Sequence, residues 1–206
     1  MKKIFLCFCI IFLSGCSVTN FNTMNFEEIV DSSIENNNMK SNIYRKGYKY
    51  YLPSEFQVKK DDDYIQTLIS KNNVYYLNID VVSYHYKNDI TSFHGFDDYV
   101  YYEFENDEEK GYLKILENNG KFFIELCYNY AIMEVEVEEN ELRYAISRSI
   151  AILDSIEYND LVIEKYITDN NIDSNETIYK IPEPENKDDS KNVLEYIGSD
   201  EEVEDE

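Results

Sequence analysis

YLKILENNGKFFIELCYNYAIMEVEV, residues 112–137, alternates apolar and polar side chains around an Asn-Gly pair. Alternation with period two marks a strand with one buried face, and Asn-Gly accepts the positive φ that a two-residue hairpin turn requires. Tyr112–Glu117 and Lys121–Tyr128 are therefore expected to pair through Asn118-Asn119-Gly120. Phe122, Ile124, Leu126 and Tyr128 then share one face, but further on Met133, Val135 and Val137 carry the apolar parity. A shift of one residue turns every side chain to the other face, so a bulge or bend is expected near Tyr130–Ile132.

Outward from this stretch the pattern continues. Tyr48–Leu52 is β-prone and stops at Pro53, and Tyr64–Ser70 and Val74–Tyr84 flank a hairpin turn at Lys71-Asn72-Asn73. Tyr75, Leu77, Ile79 and Val81 share a face, as do Val100, Tyr102 and Phe104 against Tyr101, Glu103 and Glu105. Asn140 is expected to cap a helix whose apolar stripe is Leu142, Ala145, Ile146, Ser149, Ile150 and Leu153. Ser155–Tyr158 is expected to return to a strand, and Asp160–Ile167 to form a last short helix. The fold class is thus α+β: a mostly antiparallel sheet of about five to seven strands covered by a C-terminal helix.

Composition bounds the rest. The 206 residues carry 42 acidic and 19 basic side chains, a net charge of −23, and 43% of them are apolar. So negative a surface repels phosphate, which excludes nucleic acid as a partner. The 20 tyrosines and 11 phenylalanines supply apolar area that a wholly disordered chain lacks. Residues 44–168 form the expected domain, and residues 16–43 a polar tether. Within the tether, Asn25 with Glu28 makes a capping pair, and Phe26, Ile29, Val30 and Ile34 line one face of a short helix over 25–35, compatible with a docked or a free element. Residues 169–206 are acidic and expected to be largely disordered, with eleven acids against two lysines from Pro182 onward.

Residues 1–15 have the build of a signal peptide: Lys2 and Lys3, then the ten apolar residues Ile4–Leu13. Ten helical residues span only ~15 Å, about half the hydrocarbon core, too short for a stable membrane span. Leu13-Ser14-Gly15-Cys16 follows, small residues directly before a nucleophilic thiol. This stretch resembles the lipobox of bacterial lipoproteins. The resemblance implies signal-peptidase recognition through Leu13, Ser14 and Gly15, a covalent diacylglycerol on Cys16, and a lipid-anchored position on the extracytoplasmic face of the cell membrane. Two acyl chains hold a protein stably where one does not. Cys7 and Cys9 would leave with the signal, so Cys127 would remain the single unmodified thiol and no internal disulfide would form. Sixteen lysines against three arginines, with 22 asparagines, fit a low-GC bacterial source.

The order of elements is similar to the Mog1/PsbP-like superfamily, through Tyr51-Leu52-Pro53, Val74–Tyr84, Gly111–Ile115, Phe122–Val137 and the helix ending Ile150-Ala151-Ile152-Leu153-Asp154-Ser155-Ile156. The resemblance covers residues 48–159 and rests on pattern. It implies a binding or assembly module without chemistry of its own, and it carries over no functional residue.

Catalytic patterns are sparse. His85 and His94 with Asp89, Asp97 or Asp98 have no zinc spacing, and His85 is expected on the core side of a strand end. Cys127, mid-strand, is expected to be buried and inert. No Gly-x-Ser-x-Gly elbow occurs, and six glycines include no phosphate-cradling loop. Asp61-Asp62-Asp63, Asp97-Asp98, Asp107-Glu108-Glu109 and Glu138-Glu139 lack the spaced calcium loop and are expected as solvated turns. No catalytic residue, metal or cofactor is therefore expected beyond the acyl group. Tyrosines on strands are the most suggestive feature: an exposed set offers contact area and a hydroxyl at small entropic cost, whereas rings that fill a second face covered by helices are structural. Tyr99, Tyr101 and Tyr102 are expected to contact a partner, an envelope or membrane protein. The alternatives are a small-ligand or cation-binding lipoprotein and, behind it, a hydrolase using paired carboxylates.

Overall fold

The computed structural model describes residues 24–35, 39–90, 99–106 and 109–174. Residues 1–23, which hold the expected signal segment and Cys16, lie outside the described residues, as do His94, Asp97, Asp98, Asp107, Glu108 and residues 175–206. The architecture is α+β. Helix α1 (Phe26–Glu35) precedes the short strands β1 (Ile43–Arg45) and β2 (Tyr48–Tyr50). Strands β3 (Phe56–Asp62), β4 (Ile65–Ser70) and β5 (Asn73–Ile79) lead into helix α2 (Val81–Tyr86). Strands β6 (Val100–Asn106), β7 (Glu109–Asn118), β8 (Lys121–Tyr128) and β9 (Ala131–Glu138) follow, then helix α3 (Leu142–Asp154), strand β10 (Glu157–Tyr158) and helix α4 (Asp160–Asn170). Seven strands form one antiparallel sheet in the order β3-β4-β5-β9-β8-β7-β6, and β1-β2-β10 form a second, smaller one.

The turn between β7 and β8 is the expected one. Asn118 pairs with Lys121, and Asn119 and Gly120 between them have φ of 52° and 80°. The parity change further on has a different cause from the bulge or bend expected near Tyr130–Ile132. Tyr128 pairs with Ala131 around a second two-residue turn, where Asn129 and Tyr130 both take positive φ. Partners across such a turn are three residues apart, so even positions of β8 face odd positions of β9. Leu126 meets Met133, Ile124 meets Val135, and Phe122 meets Val137. The parity therefore changes without any register fault.

Two further expectations are corrected. The strand expected over Val74–Tyr84 ends at Ile79, because the Asp80 carboxylate accepts from the Ser83 N–H at 2.9 Å and caps α2. His85 accordingly sits half-exposed on a helix rather than at a strand end facing the core. Asn140 does not cap α3; it lies inside a 3₁₀ turn, Glu139–Glu141, and the residue before α3 is Glu141, without a side-chain cap. The expected stripe of α3 is buried in full, with Ile152 added.

One face of the large sheet packs on α3. Leu68, Tyr75, Leu77, Leu113, Ile115, Ile124, Leu126, Met133 and Val135 meet Ala145, Ile146 and Ile150 in a single core, all at 1% exposure or less. Helix α1 docks on α3 beside β6. Its Asn25–Glu28 capping pair is reciprocal, with N–H donors at 2.7 and 3.1 Å, and Ile29 and Val30 are fully buried. Burying an Ile or Val side chain stabilises by about 1.5–3 kcal/mol, well above what an isolated ten-residue helix offers by propensity. The small sheet is tied to β4 through Tyr50, whose hydroxyl donates to Gln66 Oε1, and to the β3–β4 turn through Tyr48, which donates to the Asp63 carbonyl at 2.8 Å. Asn159 caps α4, and Gly47 at φ 91° passes close beneath Ile163.

Candidate functional site

The second face of the large sheet differs from a solvated one. Tyr76, Leu116, Phe123 and Ile132 point there, are half-buried, and lie outside the main core. A fully exposed antiparallel face would be polar at these positions. In register across this face run Tyr101, Lys114, Glu125, Glu134 and Tyr76, each opposite the next. The following row holds Glu103, Tyr112, Cys127 and Ile132. The Tyr112 hydroxyl donates to Glu125 Oε1 at 2.7 Å, and the Tyr101 ring stacks on Tyr112 at 6.3 Å. Tyr101 in turn donates to Glu103 Oε1 at 2.6 Å. Aromatic rings and carboxylates thus alternate at the β6 end of this face.

The three tyrosines expected to bind together do not share a surface. Tyr101 belongs to the second face. Tyr102 points to the first, where it stacks on Phe104 at 5.8 Å and donates to Asp31 of α1 at 3.0 Å. Burial and the Asp31 carboxylate both push its hydroxyl above the usual tyrosine range. Tyr99 is 52% exposed just before β6 and meets Phe122 edge-on.

Sequence reasoning missed the groove next to Tyr101. It measures about 490 Å³ and is lined by Ile90, Glu103, Phe104, Glu105, Lys110, Gly111 and Tyr112. A Cβ on Gly111 would lie 2.5 Å from the Cys127 carbonyl and 2.6 Å from the Phe104 ring, so glycine is what lets Phe104 lie flat on β7. A glycine inside an otherwise regular strand was the available signal. A second groove, about 660 Å³, runs between the β1–β2 turn and the start of α4, with Tyr44 and Leu161 exposed along it. Its cations are engaged: Lys49 pairs with Glu157 at 2.8 Å, Arg45 pairs with Asp61, and Lys46 lies over the Tyr166 ring at 5.4 Å.

The remaining candidates stay apart. Cys127 is buried, and burial, with Glu125 and Asp80 nearby, pushes its thiol far above the usual range. Asp61 is held by Arg45 and by Gln66 Nε2 at 2.7 Å, a structural role. Among the described residues no three His, Cys, Asp or Glu side chains converge as metal ligands. Nor is any described helix long and apolar enough to cross a membrane. No family model, curated protein or solved structure matches the chain.

Proposed function

We propose that this protein is a lipid-anchored extracytoplasmic module that binds an envelope or membrane protein and carries no catalysis of its own. The observation that carries this reading is the second sheet face, where Tyr76, Tyr101, Phe123 and Ile132 are half-buried outside the core among carboxylates. Aromatic groups with a polar rim are what protein interfaces concentrate. Leu13-Ser14-Gly15-Cys16 supports the anchor, and the likeness in element order to the Mog1/PsbP-like superfamily supports an assembly role. The test is photo-crosslinking in living cells from positions 76, 101 and 123 of the full chain, with a lipobox-only fusion as control. One dominant membrane or envelope protein captured from these positions is the expected result. Capture no different from the control would overturn the reading, and an unmodified Cys16 in the mass spectrum of the N-terminal peptide would remove the anchor.

A further inference from the structure

We propose that β6 is a docking edge to which the partner adds an extended, basic strand. The inference rests on the binding role above and specifies the partner's chemistry.

The direction of the β6 backbone follows from the turn. Asn118 and Lys121 close a two-residue hairpin and so exchange backbone bonds, and bonding alternates along the strands from there. Even-numbered residues of β7 therefore bond to β8, and its odd-numbered residues bond to β6. Ile115, Leu113, Gly111 and Glu109 face Val100, Tyr102, Phe104 and Asn106. The N–H and C=O groups of Glu103 and Glu105 are left pointing away from the sheet. Among the described residues, no backbone group pairs with them on that side.

The two edges of the sheet are built differently. Strand β3 has a register shift between Val58 and Lys60, two successive lysines, and then Asp61-Asp62-Asp63. Bulges and edge lysines are the means by which natural sheets refuse further strands. Strand β6 runs in unbroken register from Val100 to Asn106 and contains no lysine or proline. What it does carry is selective. Glu103 and Glu105 project together on the second face, so a second copy of this chain, pairing edge to edge, would bring like charges together. A basic strand meets no such repulsion, and the net charge of −23 favours its approach.

Side-chain preferences follow from the pleat. Residues of the incoming strand opposite Glu103 and Glu105 would be lysine or arginine. Those opposite Tyr102 and Phe104 would be apolar, since these rings stack at 5.8 Å on the first face. The groove lined by Ile90, Phe104 and Tyr112 lies beside the same stretch and has room for one large anchoring side chain.

The test uses the full chain and a labelled peptide of alternating lysine and valine, followed by anisotropy. Three comparisons are made: the same peptide N-methylated at alternate residues, a glutamate–valine peptide, and the double variant Glu103→Pro/Glu105→Pro. Proline is tolerated where an edge N–H faces outward, so this variant keeps the β6–β7 ladder. Methylation should weaken binding at least about tenfold, because main-chain hydrogen bonds carry the affinity in strand addition. The double proline should weaken it by at least as much, because it removes outward N–H groups and both carboxylates. Glu103→Lys/Glu105→Lys should reverse the preference to the glutamate peptide. Equal binding of the methylated peptide overturns the proposal even if the proline variant fails to fold. If the wild-type chain and the double-proline variant crosslink the same partner equally, the edge is wrong and the binding role stands. Peptide binding without any cellular partner leaves the edge standing and sinks the role.

Discussion

Tyr102 on β6 donates its hydroxyl to Asp31 on α1 at 3.0 Å, which straps the helix preceding the domain to the terminal strand of the large sheet. The contact is reinforced from α3, where Arg143 Nε donates to the Met24 carbonyl at 3.0 Å and its guanidinium lies over the Phe26 ring. Half of the segment expected as a tether is therefore part of the folded body. If Cys16 is acylated, only residues 17–23 separate it from Met24. That spacer is too short to hold the domain more than roughly 25–30 Å from the acylated residue.

Ile29→Ala tests this docking. Ile29 is fully buried between α1 and α3, so the truncation should cost about 2–5 kcal/mol in urea unfolding. Tyr102→Phe removes a partly exposed hydrogen bond and should cost no more than about 1 kcal/mol. An Ile29→Ala loss below about 0.5 kcal/mol, the range of surface substitutions, would mean that α1 is not docked in solution.

Two glycines should respond differently to alanine. At Gly120 the surroundings are open, so Gly120→Ala meets only the strain of φ 80°, about 1 kcal/mol. At Gly111 the new Cβ would run into the Cys127 carbonyl and the Phe104 ring, and overpacking of that kind costs about 1–3 kcal/mol or more. Thermal melts of both variants should place Gly111→Ala clearly lower. The reverse order would show that β6 does not lie against β7 as described.

How much of this was legible depends on which signals are local. Asn119-Gly120 announces its own turn, and α3 its stripe, because each signal lies within one element. Asn129-Tyr130 makes the same turn without announcing it, since tyrosine seldom takes positive φ. The change of apolar parity was visible, but a two-residue turn and a bulge change it alike. Strand β3 went unread because Lys59–Asp63 has the composition of a loop, and α2 because Val81 and Val82 are β-branched while the decisive cap is Asp80 on Ser83. At the candidate site Tyr101 was legible as a strand tyrosine. Its neighbour Tyr112 was not, because adjacency across strands needs the register.

Cys127 should be unreactive in the folded protein. It is 4% exposed, and its raised pKa leaves almost no thiolate at pH 8. Peptide mass spectrometry after iodoacetamide treatment should find Cys127 unmodified in buffer and modified in urea. Rapid labelling without denaturant would show that the second face opens at Cys127.

Alkali should unfold the protein cooperatively. Burial raises the hydroxyls of Tyr48, Tyr50, Tyr75 and Tyr128 well above the usual range, and pushes Tyr64 and Tyr84 up to about 12. In the unfolded chain tyrosine titrates near 10 and cysteine near 8.5. As pH rises the unfolded state therefore loses protons first, binds fewer than the native state, and is favoured. Below about pH 7.5 these groups are almost fully protonated in both states and add almost no slope. The melting temperature should accordingly be insensitive to these groups up to about pH 7.5, begin to fall near pH 8 through Cys127, and fall more steeply from about pH 9 upward through the tyrosines. The part of the tyrosinate absorbance that these six tyrosines contribute should appear in a step that coincides with loss of the far-ultraviolet circular dichroism. Complete titration of all 20 tyrosines near pH 10 with the circular dichroism intact would mean that the six rings already reach water and do not form a core.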